Sequence, residues 1–144
     1  NLREFLRNKV AGMMQRVRAA TDADVLRIVD MIEDLRAAVR GPIAVDRAWA
    51  AQTVARLISA PNGFVAVTSG GFIAGVVEPT IINPALIAKE MGWFSRDRSG
   101  LALLRAFENW ARDGGATMVQ LSTGPAGLDL TRLGYRAAEL AWVK

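Results

Sequence analysis

The feature that most restricts this chain's fold is a pair of apolar runs separated by three small residues. Phe64-Val65-Ala66-Val67-Thr68 and Phe72-Ile73-Ala74-Gly75-Val76-Val77 flank Ser69-Gly70-Gly71. Runs rich in β-branched and aromatic residues around a Gly-Gly turn read as two antiparallel strands joined by a tight hairpin. A lone hairpin is marginal in water, so the segments around it must extend the sheet and cover it.

Those segments carry the periodicities to do so. Leu2, Phe5, Leu6, Val10 and Met13 recur at helical spacing, with Arg3, Arg7 and Lys9 largely off the stripe, which predicts an amphipathic helix over 1–14. Residues 15–20 alternate and read as a short strand. Thr21 then caps a helix with Asp22 and Asp24 in its first turn. Val25, Ile28, Val29, Ile32 and Leu35 mark its buried face to about Arg40, and Gly41-Pro42 ends it. Asp46 caps a second helix with apolar positions Trp49, Val54, Leu57 and Ile58, closed by Pro61-Asn62-Gly63. Beyond the hairpin come a loop over 79–84, a strand over 86–95, and a helix burying Leu101, Leu104, Phe107 and Ala111 up to Asp113-Gly114-Gly115. A buried-type strand over 117–121, a loop over 122–127, a short helix over 128–133 stopped by Gly134, and one strand or a cramped pair over 135–143 complete the series. Three strands on short turns followed by strand-helix-strand imply a mixed α/β domain over 15–144, a central mixed sheet with helices on both faces, preceded by the extension 1–14.

Composition narrows the chemistry. The 144 residues include no cysteine and no histidine. Disulfides, thiolate chemistry, His-based metal sites and Ser-His-Asp catalysis are therefore excluded, and no metal site is expected. Catalysis would fall to carboxylates, Tyr, Lys, Arg, hydroxyls or backbone. The net charge of +4 and pI near 10.3 favour an anionic ligand. No basic stripe interleaved with aromatics points to nucleic acid. No apolar run approaches the roughly 20 residues of a membrane span, and no segment reads as a signal peptide, so a cytoplasmic location is expected.

The stretch Trp93-Phe94-Ser95-Arg96-Asp97-Arg98-Ser99-Gly100-Leu101-Ala102-Leu103-Leu104 stands out. A strand ends, a basic turn follows, and a helix begins with free backbone N–H groups, a glycine and nearby arginines. That combination suits a phosphate-bearing ligand.

Four places resemble the GCN5-related N-acetyltransferase (GNAT) superfamily. They are Val17-Arg18-Ala19-Ala20-Thr21-Asp22-Ala23-Asp24, similar to the opening strand and helix cap; the Gly-Gly hairpin over 64–77; Gly100-Leu101-Ala102-Leu103-Leu104-Arg105-Ala106-Phe107-Glu108, similar to the second half of the Q/R-x-x-G-x-G/A acyl-CoA loop; and Leu133-Gly134-Tyr135-Arg136. The compact form is similar to phage- and prophage-encoded members. The resemblance implies acetyl-CoA as cofactor. Arg98, Ser99, Gly100, Leu101 and Ala102, helped by Arg96, would hold its pyrophosphate. Trp93, Phe94 and Ser95 would meet the pantetheine through their backbone, and the helix pair over 22–58 would admit an amine. It implies a general base on the strand before the loop, where Glu90 lies on the face that alternation gives to Gly92 and Phe94; Glu78 and water are the alternatives. Asp30, Glu33 and Asp34 form an acidic cluster able to attract a cationic amine.

Three positions depart from the family pattern. Asp97 stands where Gln or Arg is expected, and Ser99 where Gly is usual. Leu130 occupies the place of the frequent acidic Tyr, and Tyr135, the only tyrosine, reads as a packing residue. Two functions follow from the whole. One is an acetyl-CoA-dependent N-acetyltransferase. The other is a non-catalytic protein of the same fold, a structural or virion-associated assembly component. There, residues 1–14 would dock a partner or a second copy in a homo-oligomer.

Overall fold

The computed structural model describes residues 1–14 and 16–144, and the side chains of 9–14 fall outside that description. The elements are α1 (Leu2–Met14), β1 (Arg18–Ala19), α2 (Val25–Val39), α3 (Arg47–Ser59), β2 (Gly63–Val67), β3 (Gly71–Glu78), β4 (Ile87–Ser95), α4 (Gly100–Asp113) and β5 (Met118–Gln120), with 3-10 turns at Asp22–Asp24 and Thr131–Leu133. The five strands lie in the order β1-β2-β3-β4-β5. All neighbours are antiparallel except β4 and β5.

The hairpin forms as its sequence requires, with Val67 opposite Phe72 and the Thr68 N–H bonded to the Gly71 carbonyl at 3.0 Å. Its glycines are there for space. Neither has a positive φ. A Cβ on Gly70 would lie 2.7 Å from Asp97 Cγ, and one on Gly71 would lie 2.8 Å from both Leu103 Cδ1 and the Phe94 carbonyl oxygen. The turn is thus pressed against the β4–α4 loop and the first turn of α4.

Helices cover both sheet faces. On one, Ile28 and Met31 of α2 and Val54 and Leu57 of α3 pack on Val65, Val67, Phe72 and Ala74. On the other, Leu103, Leu104, Phe107 and Ala111 of α4 pack on Ala66, Ile73, Val77 and Ala88. Phe107 is wholly buried, and beside it Trp110 stacks on Phe64 with ring centroids 4.9 Å apart.

Helix ends follow the local chemistry. Asp46 Oδ1 accepts the Trp49 N–H at 3.0 Å and caps α3. Asp24 accepts the Thr21 N–H at 2.9 Å and both Arg18 guanidinium nitrogens at 2.7 Å. The Arg18 bonds, followed by those from Thr21 and Arg27, outweigh burial and hold the Asp24 carboxyl far below the usual carboxylate range.

The sequence expectation needs several corrections. The left-handed residue that ends α2 is Arg40, at φ 54°, one position before Gly41, whose N–H closes back on the Arg36 carbonyl. Trp49 is exposed, because α3 turns only Val54 and Leu57 fully inward. In α4, Leu103 takes the core place expected for Leu101. Residues 103, 104, 107 and 111 make one stripe, and Leu101 falls off it into solvent. β5 is a short edge strand, with Met118 exposed. The helix over 128–133 contracts to a 3-10 turn, and residues 135–144 form no strand. On α1, Leu2, Phe5 and Leu6 are exposed. The assignment of Val10 and Met13 to that stripe, and of Gln15 to the first strand, lies outside the described residues.

Candidate functional site

The site grows from β4, which has two unlike halves. Ile87, Ala88 and Lys89 pair in parallel with Met118, Val119 and Gln120. β5 then ends, while β4 runs on to Ser95 paired only with β3. The strands part and leave a wedge along one edge of β4, where its backbone groups face no strand.

A β-bulge sits at the opening of this wedge. Gly75 pairs with Glu90 and Ala74 pairs with Gly92, so Met91 is an extra residue. A bulge reverses the alternation beyond it. Glu90 therefore follows Gly75 to the face covered by α4, whereas Gly92 and Phe94 belong to the α2–α3 face with Ala74 and Phe72. This overturns the expectation that Glu90 shares the face of Gly92 and Phe94. Glu90 is buried, and its Oε1 accepts the Ser122 N–H at 3.0 Å where the chain leaves β5. Burial pushes its carboxyl above the ordinary value, against the opposing pull of the Ser122 N–H. Glu78 is exposed and pairs with Ile87 at the far end of β4, away from the wedge.

At the open end of β4, the loop to α4 is ordered by a carboxylate among hydroxyls. Asp97 Oδ1 accepts from Ser95 Oγ at 3.1 Å, from the Ser99 N–H at 3.1 Å and from Ser99 Oγ; Oδ2 accepts from Ser69 Oγ at 3.1 Å. Burial would raise its pKa, but these donors outweigh it and hold the carboxyl below the ordinary range. Ser99 is fully buried, and its hydroxyl also meets Thr68 Oγ1 at 2.7 Å. Although Ser99 is the N-cap of α4, its side chain makes no capping bond. The first N–H groups of α4, those of Gly100, Leu101 and Ala102, precede the first intrahelical bond, from Leu103 N–H to the Ser99 carbonyl at 3.0 Å.

The other expected contacts fall as follows. Trp93 Nε1–H donates to the Gly100 carbonyl at 3.0 Å and ties strand end to helix start. Phe94 packs into the α2–α3 core, so only its backbone faces the wedge edge. Arg96 is held by Asp34 at 2.5 Å. Arg98 is exposed in the left-handed region at φ 66°. A Cβ on Gly100 would lie in ordinary contact with Ser95 and Trp93, 3.7 Å from each, so this side of the helix start packs on the end of β4.

The acidic cluster on α2 is matched by arginines. Arg47 spans Asp30 and Glu33, at 2.7 Å each, and Arg96 takes Asp34. A groove of about 350 Å³, lined mainly by apolar residues including Ile32, Leu35, Val39, Ile43 and Trp49, lies between α2, the loop that follows it and the start of α3. The Tyr135 hydroxyl donates to Glu108 Oε2 at 2.7 Å on α4, and burial together with that carboxylate drives its pKa upward. Tyr135 packs against the α4 core, as its sequence context implies. Among the described residues, no group of Asp and Glu side chains is arranged to hold a metal.

Sequence reasoning missed the inward role of Asp97. Its signal was local: a carboxylate two residues from a serine on each side is a turn-forming pattern, in which the side chains bond to each other and to nearby backbone.

No protein-family model matches the chain, and no curated protein does. Solved structures do. A transcriptional regulator from Bacillus halodurans C-125 superposes at TM-score 0.71 with 19% identity, over 90% of this chain and 97% of that one. An acetyltransferase of Trypanosoma brucei gives 0.67 with 15% identity, over 90% and 97%. An aminoglycoside acetyltransferase from an uncultured soil metagenomic sample, solved in complex with sisomicin, gives 0.61 with 15% identity, over 90% and 92%. The chain has a GNAT-like fold. Identities this low carry the GNAT architecture and leave activity to be argued from the site. Among the described residues, the β4–β5 wedge and the start of α4 both present backbone that pairs with no strand. Among the described residues, no helix is long and apolar enough to cross a membrane.

Proposed function

We propose that the chain is an acetyl-CoA-dependent N-acetyltransferase acting on an amine. The observation that carries this reading is the wedge beside β4, which leads directly to a helix start whose N-cap side chain leaves the backbone N–H groups uncapped. An extended polar arm can hydrogen-bond along the free edge of Glu90–Ser95 as an added strand would. The N–H groups of Gly100, Leu101 and Ala102, with Arg98 beside them, suit a pyrophosphate. Arg96 is a weaker contributor, since Asp34 already neutralises it.

Bound acetyl-CoA supplies a thioester carbonyl. An amine nitrogen would form its new bond to that carbon as the carbon–sulfur bond breaks, coenzyme A would leave as a thiolate that takes up a proton from solvent, and the amine proton must be accepted in turn. Glu90, buried at the mouth of the wedge with a raised pKa, would accept it directly or through water. Tyr135 is occupied on Glu108 and takes no part. The rest of the rate comes from holding amine and thioester together.

Acetyl-CoA titrated into the protein by calorimetry or thermal shift tests the reading. Binding is expected, and Gly100→Trp, which fills the approach to the helix start, should abolish it. Absence of any effect at millimolar acetyl-CoA overturns the reading.

One observation favours a second reading, a non-catalytic assembly component of virion type. Leu2, Phe5 and Leu6 of α1 are exposed together. If α1 is a docking helix, deleting residues 1–13 changes the oligomeric state and leaves the domain folded; an unchanged assembly removes this reading.

A further inference from the structure

Asp97 is an unexpected residue at a phosphate site, since a carboxylate facing a pyrophosphate repels it. The geometry turns the charge elsewhere. The carboxylate reaches the β2–β3 turn through Ser69 Oγ and folds its own loop through Ser95 Oγ and the Ser99 N–H and hydroxyl. Two further bonds stitch the same surfaces together, Thr68 Oγ1 to Ser99 Oγ at 2.7 Å and the Arg96 N–H to the Gly70 carbonyl at 2.8 Å. Gly70 lies so close to Asp97 that any side chain there would collide with the carboxylate. The loop is thereby clamped to the hairpin.

The clamp has a chemical consequence at α4. A serine at the N-cap ordinarily turns its hydroxyl onto the N–H groups of the first turn. Here Asp97 and Thr68 hold that hydroxyl, and it makes no capping bond. The helix start then keeps the N–H groups of Gly100, Leu101 and Ala102 for a ligand.

We propose that Asp97 is a positioning residue for the pyrophosphate of coenzyme A. It clamps the β4–α4 loop to the β2–β3 turn and withholds the Ser99 hydroxyl from the helix, leaving the N–H groups of Gly100, Leu101 and Ala102 open to the anion. This rests on the acetyl-CoA reading above. Asp97 touches no reacting atom and acts only through the loop.

Calorimetry with two probes tests it: coenzyme A, which carries the pyrophosphate, and acetyl-pantetheine, which lacks it. Asp97→Ala should weaken coenzyme A about tenfold and leave acetyl-pantetheine within about twofold, a loss of the size expected for a broken charged hydrogen-bond set. Asp97→Asn should return to within about threefold of the native protein, because its carbonyl keeps the Oδ1 contacts and its amide can donate to the Ser69 hydroxyl. Ser69→Ala, which removes the Ser69 Oγ–Asp97 bond and spares the loop's own bonds, should lose about threefold for coenzyme A alone. Native-like coenzyme A affinity in Asp97→Ala or Ser69→Ala overturns the proposal, as does an equal loss for both probes. Failure of the native protein to bind coenzyme A removes the acetyl-CoA reading itself, a separate outcome.

Discussion

Trp110 and Trp142 sit in stretches of similar apolar content and meet opposite fates. Trp110 stacks on Phe64 beside the buried Phe107. Trp142 is 88% exposed, between Leu140 and Val143, which are nearly as open. The difference lies in what each stretch finds to pack against. α4 meets a sheet face made by three long-paired strands, and burying its stripe is favourable at about 25 cal/mol per Å². Beyond Tyr135 the segment borders β5, three residues long, through the Gln120–Glu139 bond and pairs with no strand, so its apolar side chains stay in solvent. An apolar pattern states what a segment could bury, and its neighbours decide whether it does.

The contrast can be broken most forcefully at the two aromatic positions. Phe107→Ala should lower the unfolding free energy by about 4 kcal/mol, from lost burial plus a cavity between α4 and the sheet. Trp142→Ala should change it by no more than about 0.5 kcal/mol. Urea titration followed by circular dichroism measures both, and comparable losses would show that the C-terminal segment packs as tightly as α4. Glycines sharpen the same comparison with a smaller effect. A Cβ at Gly75 would lie 2.5 Å from Phe107 and 2.6 Å from the Lys89 carbonyl, so Gly75→Ala should be destabilising by about 2–3 kcal/mol. At Gly134 nothing lies within 4 Å, and only its φ of 88° opposes a side chain, so Gly134→Ala should lose about 1 kcal/mol.

The smallest effect is electrostatic and lies on the border between the regions. Glu90 has a raised folded-state pKa because burial disfavours its charge. Its contribution is full below the ordinary glutamate value and is lost as pH rises through the raised value. Glu90→Gln stays neutral at all pH. Near pH 8 it should therefore be more stable than the native protein by up to about 1 kcal/mol, with no such gain near pH 4. Thermal melts at the two pH values check this. An equal shift at both would mean that Glu90 does not titrate differently on folding.

Much of the fold can be read in the residues themselves. The hairpin over 64–77, the Asp46 cap, the Thr21–Asp24 cap and the α4 stripe through Leu104, Phe107 and Ala111 are local patterns, and the structure honours each. The site is less transparent. Trp93, Ser95, Arg98, Gly100, Leu101 and Ala102 lie at the junction where β4 meets α4. The bulge at Met91 is not visible in β4's own residues, since it arises from register with β3, and it moves Glu90 to the opposite face. Arg96 belongs to Asp34, 62 positions away in sequence, and no local pattern declares that pair.

Sequence alone determined the element order as far as β5, the covered mixed sheet, and the absence of cysteine and histidine. These depend on periodicity, turn residues and composition, which are properties of neighbours along the chain. Tertiary structure decided the parting of β4 from β5, the side on which Glu90 lies, the clamp of Asp97 on the β2–β3 turn, and the exposure of the segment after Tyr135. Each depends on which distant groups come within hydrogen-bonding or packing distance, and that is settled only when the sheet and its covering helices meet.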